Sequence, residues 1–234
     1  MRRTFIAAAV AAAFFMPLTG QAKPLHWASQ GDILTLDPHA QNEGLTIAGS
    51  SYVYEPLVQY NQNFEISEAL ATAWEQTSPT VWRFKLRENV KFHDGTPFEA
   101  DDVVFSVKRA MAPTSNFKAY VNGIKDVRAV DDLTVEIETD GPNPVLLRQL
   151  TNVFIMNRDW AEKHNATEPQ DFSKKEETYS SRNTNGTGPY KLVSREVDVR
   201  TEFEENPDWW GKATKKGNVT KIIYTPIKQS ATRT

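Results

Sequence analysis

The residues most able to do chemistry in this sequence lie in one stretch, NVKFHDGTPFEADDVVFSVKRAM, between positions 89 and 111. Its titratable side chains include one histidine, three aspartates and one glutamate: His93, Asp94, Glu99, Asp101 and Asp102. A histidine beside carboxylates could act as a general base or hold a metal ion. The interpretation of this stretch therefore decides whether the chain is regarded as an enzyme.

The spacing of these residues favours a structural role over catalysis. Asp94-Gly95 followed by Pro97 is typical of a tight turn, because glycine accepts a positive φ and proline fixes its own φ. Asp101 and Asp102 then fall in the first turn of a predicted helix, where carboxylates offset the helix dipole. A single histidine and a turn aspartate are too few ligands for a metal. We predict neither a catalytic nor a metal-binding role for the stretch.

The helix that follows is predicted to be amphipathic. Its apolar residues form one stripe at helical spacing: Val103, Val104, Val107, Ala110 and Met111. Lys108 and Arg109 lie near its end, where cations offset the other pole of the dipole. Before the turn, the alternation in VWRFKL (81–86) predicts a half-buried strand.

Shorter patterns predict the remaining elements. An apolar strand is expected at His26–Ser29, a helix before Pro56, and a hairpin turn at Asp131-Asp132 between two β-branched runs. Further patterns predict a helix in 145–152, two strands in 186–211 and one strand in 216–228. Residues 161–186 are polar and almost free of aliphatic side chains, which predicts a surface connection.

The composition excludes several classes of function. The 234 residues contain no cysteine, which rules out thiolate metal sites and cysteine nucleophiles. The formal net charge is -3 with the two signs well mixed, so no basic surface for nucleic acid is indicated. Neither GxSxG nor HExxH occurs, and GTGPY (186–190) lacks the spacing and the Lys-Ser/Thr ending of a phosphate-binding loop.

The first residues have the order of a secretory signal peptide. Arg2 and Arg3 precede an apolar run from Phe5 to Phe15, and small residues follow up to Ala22. We predict export to the periplasm with cleavage after Ala22, the alternative being a buried N-terminal helix. The arginine pair leaves the route open between general secretion and twin-arginine export.

The last residues suggest an interrupted helix. Ser230 stands where an N-cap would, and Ala231 to Thr234 would form only the first turn. We expect a truncated piece of a longer protein, the alternative being a naturally frayed tail.

The stretch VWRFKLRENVKFHDGTPFEADDVVFSVKRAM (81–111) also resembles the signature region of a known family. This family is the extracellular solute-binding proteins of family 5, the periplasmic peptide-binding components of ABC importers. Other segments resemble the family in the same order: SYVYEPLVQYN, IKDVRAVDDLTVEIET, NGTGPYKL, EENPDWWG and KIIYTPIKQSAT. Glu99 departs from the pattern, since relatives usually have a hydroxyl N-cap there, and we expect a less stable helix start.

The resemblance implies an α/β fold of the type II periplasmic binding proteins, whose two lobes close around a ligand by hinge motion. This chain would supply the first lobe with its extra subdomain, and the second lobe would be absent. The implied division is a signal peptide at 1–22, a mixed α/β core from 23–59 and 183–234, and an inserted subdomain at 60–182. The resemblance implies no cofactor and no enzymatic activity.

The resemblance also implies where a ligand would lie. The family places the end of its first strand at the floor of the cleft, where main-chain groups pair with an extended peptide. The matching residues are Ser29, Gln30, Gly31 and Asp32. Gly31 would permit close backbone approach and Asp32 could face a peptide ammonium, the alternative being a plain β-turn.

The implied function is capture of a peptide in the periplasm and its delivery, by a monomer, to an ABC permease of the inner membrane. Nickel chelates, opines and sugars are alternative ligands. The sequence is also compatible with a secreted hydrolase that depends on His93, or with a non-functional remnant of an importer gene. Trp27, Trp209 and Trp210 could line a pocket, although aromatic residues are more often part of a core. Because half of the cleft would be missing, we expect weak or no ligand binding.

Overall fold

The structure is a computed structural model that describes residues 23–174 and 176–229. The strands are β1 (Lys23–Ser29), β2 (Val58–Tyr60), β3 (Ile66–Glu68), β4 (Ala71–Ser78), β5 (Val81–Leu86), β6 (Ile124–Asp131), β7 (Thr134–Thr139), β8 (Tyr190–Glu196), β9 (Arg200–Glu205) and β10 (Val219–Pro226). The α-helices are α1 (Gly44–Ser50), α2 (Ala100–Met111), α3 (Lys118–Val121), α4 (Leu146–Leu150) and α5 (Arg158–Lys163). Short 3-10 turns lie at Phe172–Lys174, Tyr179–Ser181 and Lys212–Thr214. None of the described helices is long and apolar enough to cross a membrane.

One sheet is mixed and has the strand order β1-β10-β9-β8. β1 runs parallel to β10 with Trp27 opposite Tyr224, whereas β10, β9 and β8 are antiparallel neighbours. Tyr224 and Phe203 belong to a buried cluster beside this sheet, together with Ile33 and Tyr54. The predicted strands at His26–Ser29, in 186–211 and in 216–228 are confirmed.

A second sheet is antiparallel, in the order β4-β5-β7-β6, and α2 packs against it. Its inner residues Phe84 and Val135 form a second buried cluster with Val103 and Val107 of α2. On its outer face four charged residues lie directly opposite one another with alternating sign: Glu75, Arg83, Glu136 and Arg128. The strand predicted in 81–86 and the hairpin at Asp131-Asp132 are confirmed. Both could be predicted because they depend on the alternation of residues within a short stretch of sequence. β2 and β3 form a separate two-stranded hairpin.

The predicted helices are also present. α1 ends before Pro56 and α4 lies within 145–152. α2 begins after its N-cap Glu99, and the Asp102 carboxylate accepts a hydrogen bond from the Glu99 N–H at 3.0 Å. Asp102 thus supplies a capping contact beside the unusual N-cap residue. Arg109 lies in the last turn as predicted, but it is fully buried and pairs with Asp37.

The prediction of a surface connection at 161–186 was wrong for part of the segment. Several of its residues are buried: Ala161, Ala166, Gln170, Ser180, Ser181 and Asn185. The physical reason is that the buried Asp37 carboxylate needs donors. The Gln170 N–H and the Ser180 hydroxyl donate to it at 3.1 and 2.8 Å.

Three predictions from the sequence are not tested by these contacts. The signal peptide and the helix start at Ser230 lie outside the described residues. The division into 23–59 with 183–234 and an insert at 60–182 stays a prediction. The described part of the chain contains two buried clusters. One is formed by residues between 57 and 155, and the other by residues between 33 and 54 and between 154 and 224.

Candidate functional site

The turn at Asp94-Gly95 docks on the segment 185–188. Gly95 has the positive φ, +91°, that the turn pattern predicts. The His93 N–H donates to the Gly186 carbonyl oxygen at 2.8 Å, and the Asn185 amide donates to the Asp94 carboxylate at 2.8 Å. These contacts give the acidic stretch a structural role, because they connect the turn at residues 93–95 to the segment 185–188.

The His93 side chain is held as a neutral group. Burial lowers the pKa of His93 to about 4, and its Nε2 donates to the Gly188 carbonyl oxygen at 3.0 Å. The neighbouring Asp94 carboxylate is used by Asn185 and by the Thr96 hydroxyl at 2.6 Å, so it does not orient the imidazole. Within the described parts of the chain, no three His, Asp or Glu side chains converge in a way that could hold a metal ion.

The GTGPY turn needs glycine at positions 186 and 188 because it packs closely against the main chain of Val53. A Cβ on Gly186 or Gly188 would lie 2.0 or 2.6 Å from the Val53 carbonyl oxygen, so neither position accepts a side chain. The Gly188 N–H donates to that same oxygen at 2.8 Å. This donor is therefore engaged inside the protein, and the geometry gives no support to a phosphate-binding loop.

Glu55 anchors the two tryptophans of the EENPDWWG segment. The indole N–H groups of Trp209 and Trp210 donate to its carboxylate at 3.0 and 2.8 Å, and the Thr187 hydroxyl donates at 2.8 Å. Burial raises the pKa of Glu55, and these donors oppose that rise only in part. The guanidinium of Arg87 lies 4.0 Å from the centre of the Trp210 ring, which adds a cation–π contact.

A cavity of about 400 Å³ opens beside Glu55 and α1. Besides Glu55, its apolar and aromatic lining consists of Ile47, Tyr54, Pro56, Phe154, Pro189 and Trp209, and its neutral polar lining of Ser51, Gln59, Thr151 and Asn152. This volume and this mixture are typical of small-molecule sites. Sequence reasoning named only Trp209 among these residues, because the others come from segments that are distant along the chain and show no common pattern.

Of the predicted ligand residues, Ser29 is the last residue of β1, and Gln30, Gly31 and Asp32 begin the loop that follows it. The Ser29 carbonyl oxygen accepts the Ile227 N–H at 2.8 Å, and Gln30 and Gly31 are exposed. A Cβ on Gly31 would lie 3.7 Å from Leu45 Cδ2, which is an ordinary contact. Leu45 at the start of α1 thus lies beside this loop, whereas Ile47 of the same helix lines the cavity.

The Asp32 carboxylate is engaged within the protein. One oxygen accepts the Ile33 N–H at 2.8 Å, and the other accepts the Asp198 N–H at 2.8 Å. The second oxygen also lies 3.5 Å from an Nη of Arg195. The four predicted residues thus lie at the end of β1 and the start of the next loop, and their contact with a ligand, including that of Asp32 with an ammonium, stays a prediction.

The three tryptophans proposed as pocket residues have different positions. Trp27 packs against Tyr224 with ring centres 4.3 Å apart, and Trp210 lies between Glu55 and Arg87. Of the three, Trp209 alone lines the cavity.

The fold is that of the type II periplasmic binding proteins. The ABC transporter-associated periplasmic binding protein DppA of Helicobacter pylori, in complex with peptide STSA, is 28% identical, with a TM-score of 0.75 over 90% of this chain and 44% of DppA. The binding protein MoaA of A. tumefaciens R10 in complex with mannopinic acid is 29% identical, with a TM-score of 0.77 over 91% of this chain and 42% of MoaA. The predicted fold class is confirmed.

Residues 65–234 match the profile of the bacterial extracellular solute-binding proteins, family 5 Middle. The chain belongs to this family, as its motifs predicted. The periplasmic murein peptide-binding protein MppA of Escherichia coli K12 is 29% identical to it over 78% of this chain and 35% of MppA. The chain thus spans about two-fifths of the length of these relatives. The relatives are substrate-binding proteins rather than enzymes.

Proposed function

We propose that this chain forms part of a periplasmic solute-binding protein that captures peptides for an ABC permease in the inner membrane. The observation that carries the proposal is the open cavity beside α1, in a fold shared with a peptide complex over 90% of the chain. The protein acts as a monomer without a cofactor and does not bind nucleic acid. Its first 22 residues direct export and are removed after Ala22.

The lining of the cavity supports a peptide over a metal chelate. Ser51, Gln59, Thr151 and Asn152 are neutral, and the Glu55 carboxylate at the cavity is already bound by three donors. An apolar ligand side chain could pack on the apolar lining, and an amide could hydrogen-bond to the neutral polar residues. Among the described lining residues there is no lysine or arginine that could pair with a negatively charged chelate. A nickel chelate, an opine or a sugar is the alternative ligand class.

The protein is proposed to be a binder without catalysis. The neutral His93 donates through Nε2 to a main-chain carbonyl, and its buried Nδ1, the atom that could act as a base, has no hydrogen-bond partner among the described residues, so it is not paired with a nucleophile. A secreted hydrolase would need such a pair. If incubation with peptide yields a hydrolysis product that is lost in His93→Ala, the hydrolase alternative replaces this proposal.

A titration of the ¹⁵N-labelled protein with trialanine, followed by amide chemical shifts, tests the binding. Because the chain contributes part of a cleft, we expect a Kd of about 1–10 mM, with shifts at Ser29–Asp32 and around the cavity. Thr151→Phe fills the cavity and should weaken binding. Thr77→Phe, an exposed substitution on β4, is the matched control and should leave binding unchanged.

Two results would contradict the proposal. Shifts that avoid both the loop after β1 and the cavity would place binding elsewhere. Equal binding by the wild type and Thr151→Phe would remove the cavity from the site. Micromolar binding would instead contradict the expectation that part of the cleft is missing.

A further inference from the structure

The hairpin formed by β8 and β9 reaches back to the loop that follows β1. Arg195 of β8 has a side chain that is only 3% exposed, and one Nη lies 3.5 Å from the Asp32 carboxylate. The same Nη donates to the Ile33 carbonyl oxygen, and the other Nη donates to Thr201 of β9 at 3.2 Å. The guanidinium therefore connects the hairpin to Asp32, the last residue of the predicted ligand segment, and to Ile33 after it.

The tip of the hairpin completes this contact. Asp198 has a left-handed φ of +63°, and its N–H donates to the Asp32 carboxylate at 2.8 Å. The other carboxylate oxygen accepts the Ile33 N–H. With these donors in place the Asp32 side chain is only 8% exposed.

The rest of the loop is held by β10 and the residue after it. The Tyr224 hydroxyl donates to the Gly31 carbonyl oxygen, and the Ile227 N–H donates to the Ser29 carbonyl oxygen. Gln30 and Gly31 remain exposed between these contacts. The exposed part of the loop consequently consists of uncharged groups.

The ion pair with Arg195 favours the inward position of the Asp32 carboxylate. Burial lowers the pKa of Arg195, and the Asp32 carboxylate opposes that effect. If Asp32 turned toward a ligand ammonium, Arg195 would stay buried without the carboxylate nearest to it, which is unfavourable. A ligand ammonium would therefore have to compete with a buried ion pair.

We propose that Arg195 is a positioning residue, which holds Asp32 in an internal clamp so that the exposed residues Gln30 and Gly31 present neutral groups and no anion to the ligand. The inference rests on the proposed function and refines it. It removes Asp32 from recognition of a peptide amino terminus.

Hydrogen exchange of the ligand-free protein tests the clamp. The amides of Ile33 and Asp198 report on it, because both donate to Asp32. Arg195→Met should accelerate their exchange several-fold, and Arg195→Lys should restore part of the protection. Arg200→Met, on the same hairpin with a side chain that is 56% exposed, is the matched control and should change neither amide. Unchanged exchange in Arg195→Met would overturn the clamp.

Titration with trialanine and with N-acetyl-trialanine tests its effect on the ligand. The wild type should bind both equally, and Arg195→Met should prefer the free amine because Asp32 is released. A wild-type preference for the free amine that disappears in Asp32→Asn would overturn the inference, since Asp32 would then be the anchor. If neither peptide shifts the Ser29–Gly31 amides, the proposed function fails at this loop, while hydrogen exchange still decides the clamp.

Discussion

Asp37 and Glu55 are two buried carboxylates that the protein holds by different means. Asp37 receives both Nη groups of Arg109 at 2.7 and 2.6 Å, in a pair that is fully buried. Glu55 receives two indoles and a hydroxyl, all of them neutral donors. The comparison shows that one fold can hold a buried carboxyl group with a directly paired counter-charge or with neutral hydrogen-bond donors.

The two environments move the pKa values in opposite directions. Burial raises the pKa of Asp37, but the charge and hydrogen bonds of Arg109 outweigh burial and lower it to about 2. At Glu55 burial prevails and the pKa is raised. His39 supports the first arrangement, because burial and Arg109 lower its pKa to about 3 and its neutral Nδ1 can accept from Arg109 at 3.2 Å. A counter-charge therefore holds Asp37 ionised, whereas the neutral donors at Glu55 do not fully offset the effect of burial on its pKa.

The largest effect is expected from breaking the charged pair. Arg109→Met leaves Asp37 buried without its counter-charge, which should lower the free energy of unfolding by about 3–5 kcal/mol. Urea unfolding followed by tryptophan fluorescence measures this change. The matched control is Arg158→Met, an ion-pair arginine with a side chain that is 39% exposed, and it should cost less than about 1 kcal/mol. Similar losses in both variants would refute the distinction between buried and exposed pairs.

The pH dependence should differ in sign between the two carboxylates. The pKa of Asp37 is lower in the folded state, so its contribution of about 2 kcal/mol is present above pH 3.8 and is lost as the pH falls through about 2. The pKa of Glu55 is raised above 4.5 on folding, so its contribution is present below pH 4.5 and is lost as the pH rises through the folded pKa. Carboxyl ¹³C shifts should show Glu55 protonating at a higher pH than Asp37. Titration of both groups at one common pH would contradict this difference.

A smaller effect is expected at the neutral site. Glu55→Gln keeps one acceptor but turns an amide NH₂ toward existing donors, and no buried cation loses its partner. The free energy of unfolding should fall by about 1–2 kcal/mol, less than for Arg109→Met. Glu75→Gln on the exposed edge strand β4 is the control and should stay within about 0.5 kcal/mol. A loss at Glu55 equal to that in Arg109→Met would mean that dipoles and a counter-charge are equivalent here.

Local patterns were sufficient to predict most strands and the long helix. The strand at 81–86, the hairpin at Asp131-Asp132 and the apolar stripe of α2 depend on spacing within a few residues. The pair of Asp37 and Arg109 was not predicted, because its members are 72 residues apart and each has an ordinary local role. The polar segment 161–186 was misjudged for the same reason, since its composition does not show that Gln170 and Ser180 serve a distant buried anion.

The candidate site was predicted only in part. The resemblance placed ligand contacts on Ser29–Asp32, at the end of β1 and the start of the loop after it, but the family pattern carried no information on Arg195 as the partner of Asp32. The cavity residues escaped prediction because Ile47, Asn152 and Pro189 meet only after the chain has folded. Pairings across long sequence distances depend on tertiary packing rather than on periodicity.

The parallel pairing of β1 with β10 constrains the order in which the protein can assemble. Ser29 at the end of β1 and Val219 at the start of β10 are separated by about 190 residues. Bringing together two strands that are so far apart costs more loop-closure entropy than pairing strands that are neighbours along the chain. The antiparallel sheet contains two hairpins, β4-β5 and β6-β7, and can form before β1 and β10 meet. We therefore expect the mixed sheet to be completed after the antiparallel sheet, with β1 unpaired until then.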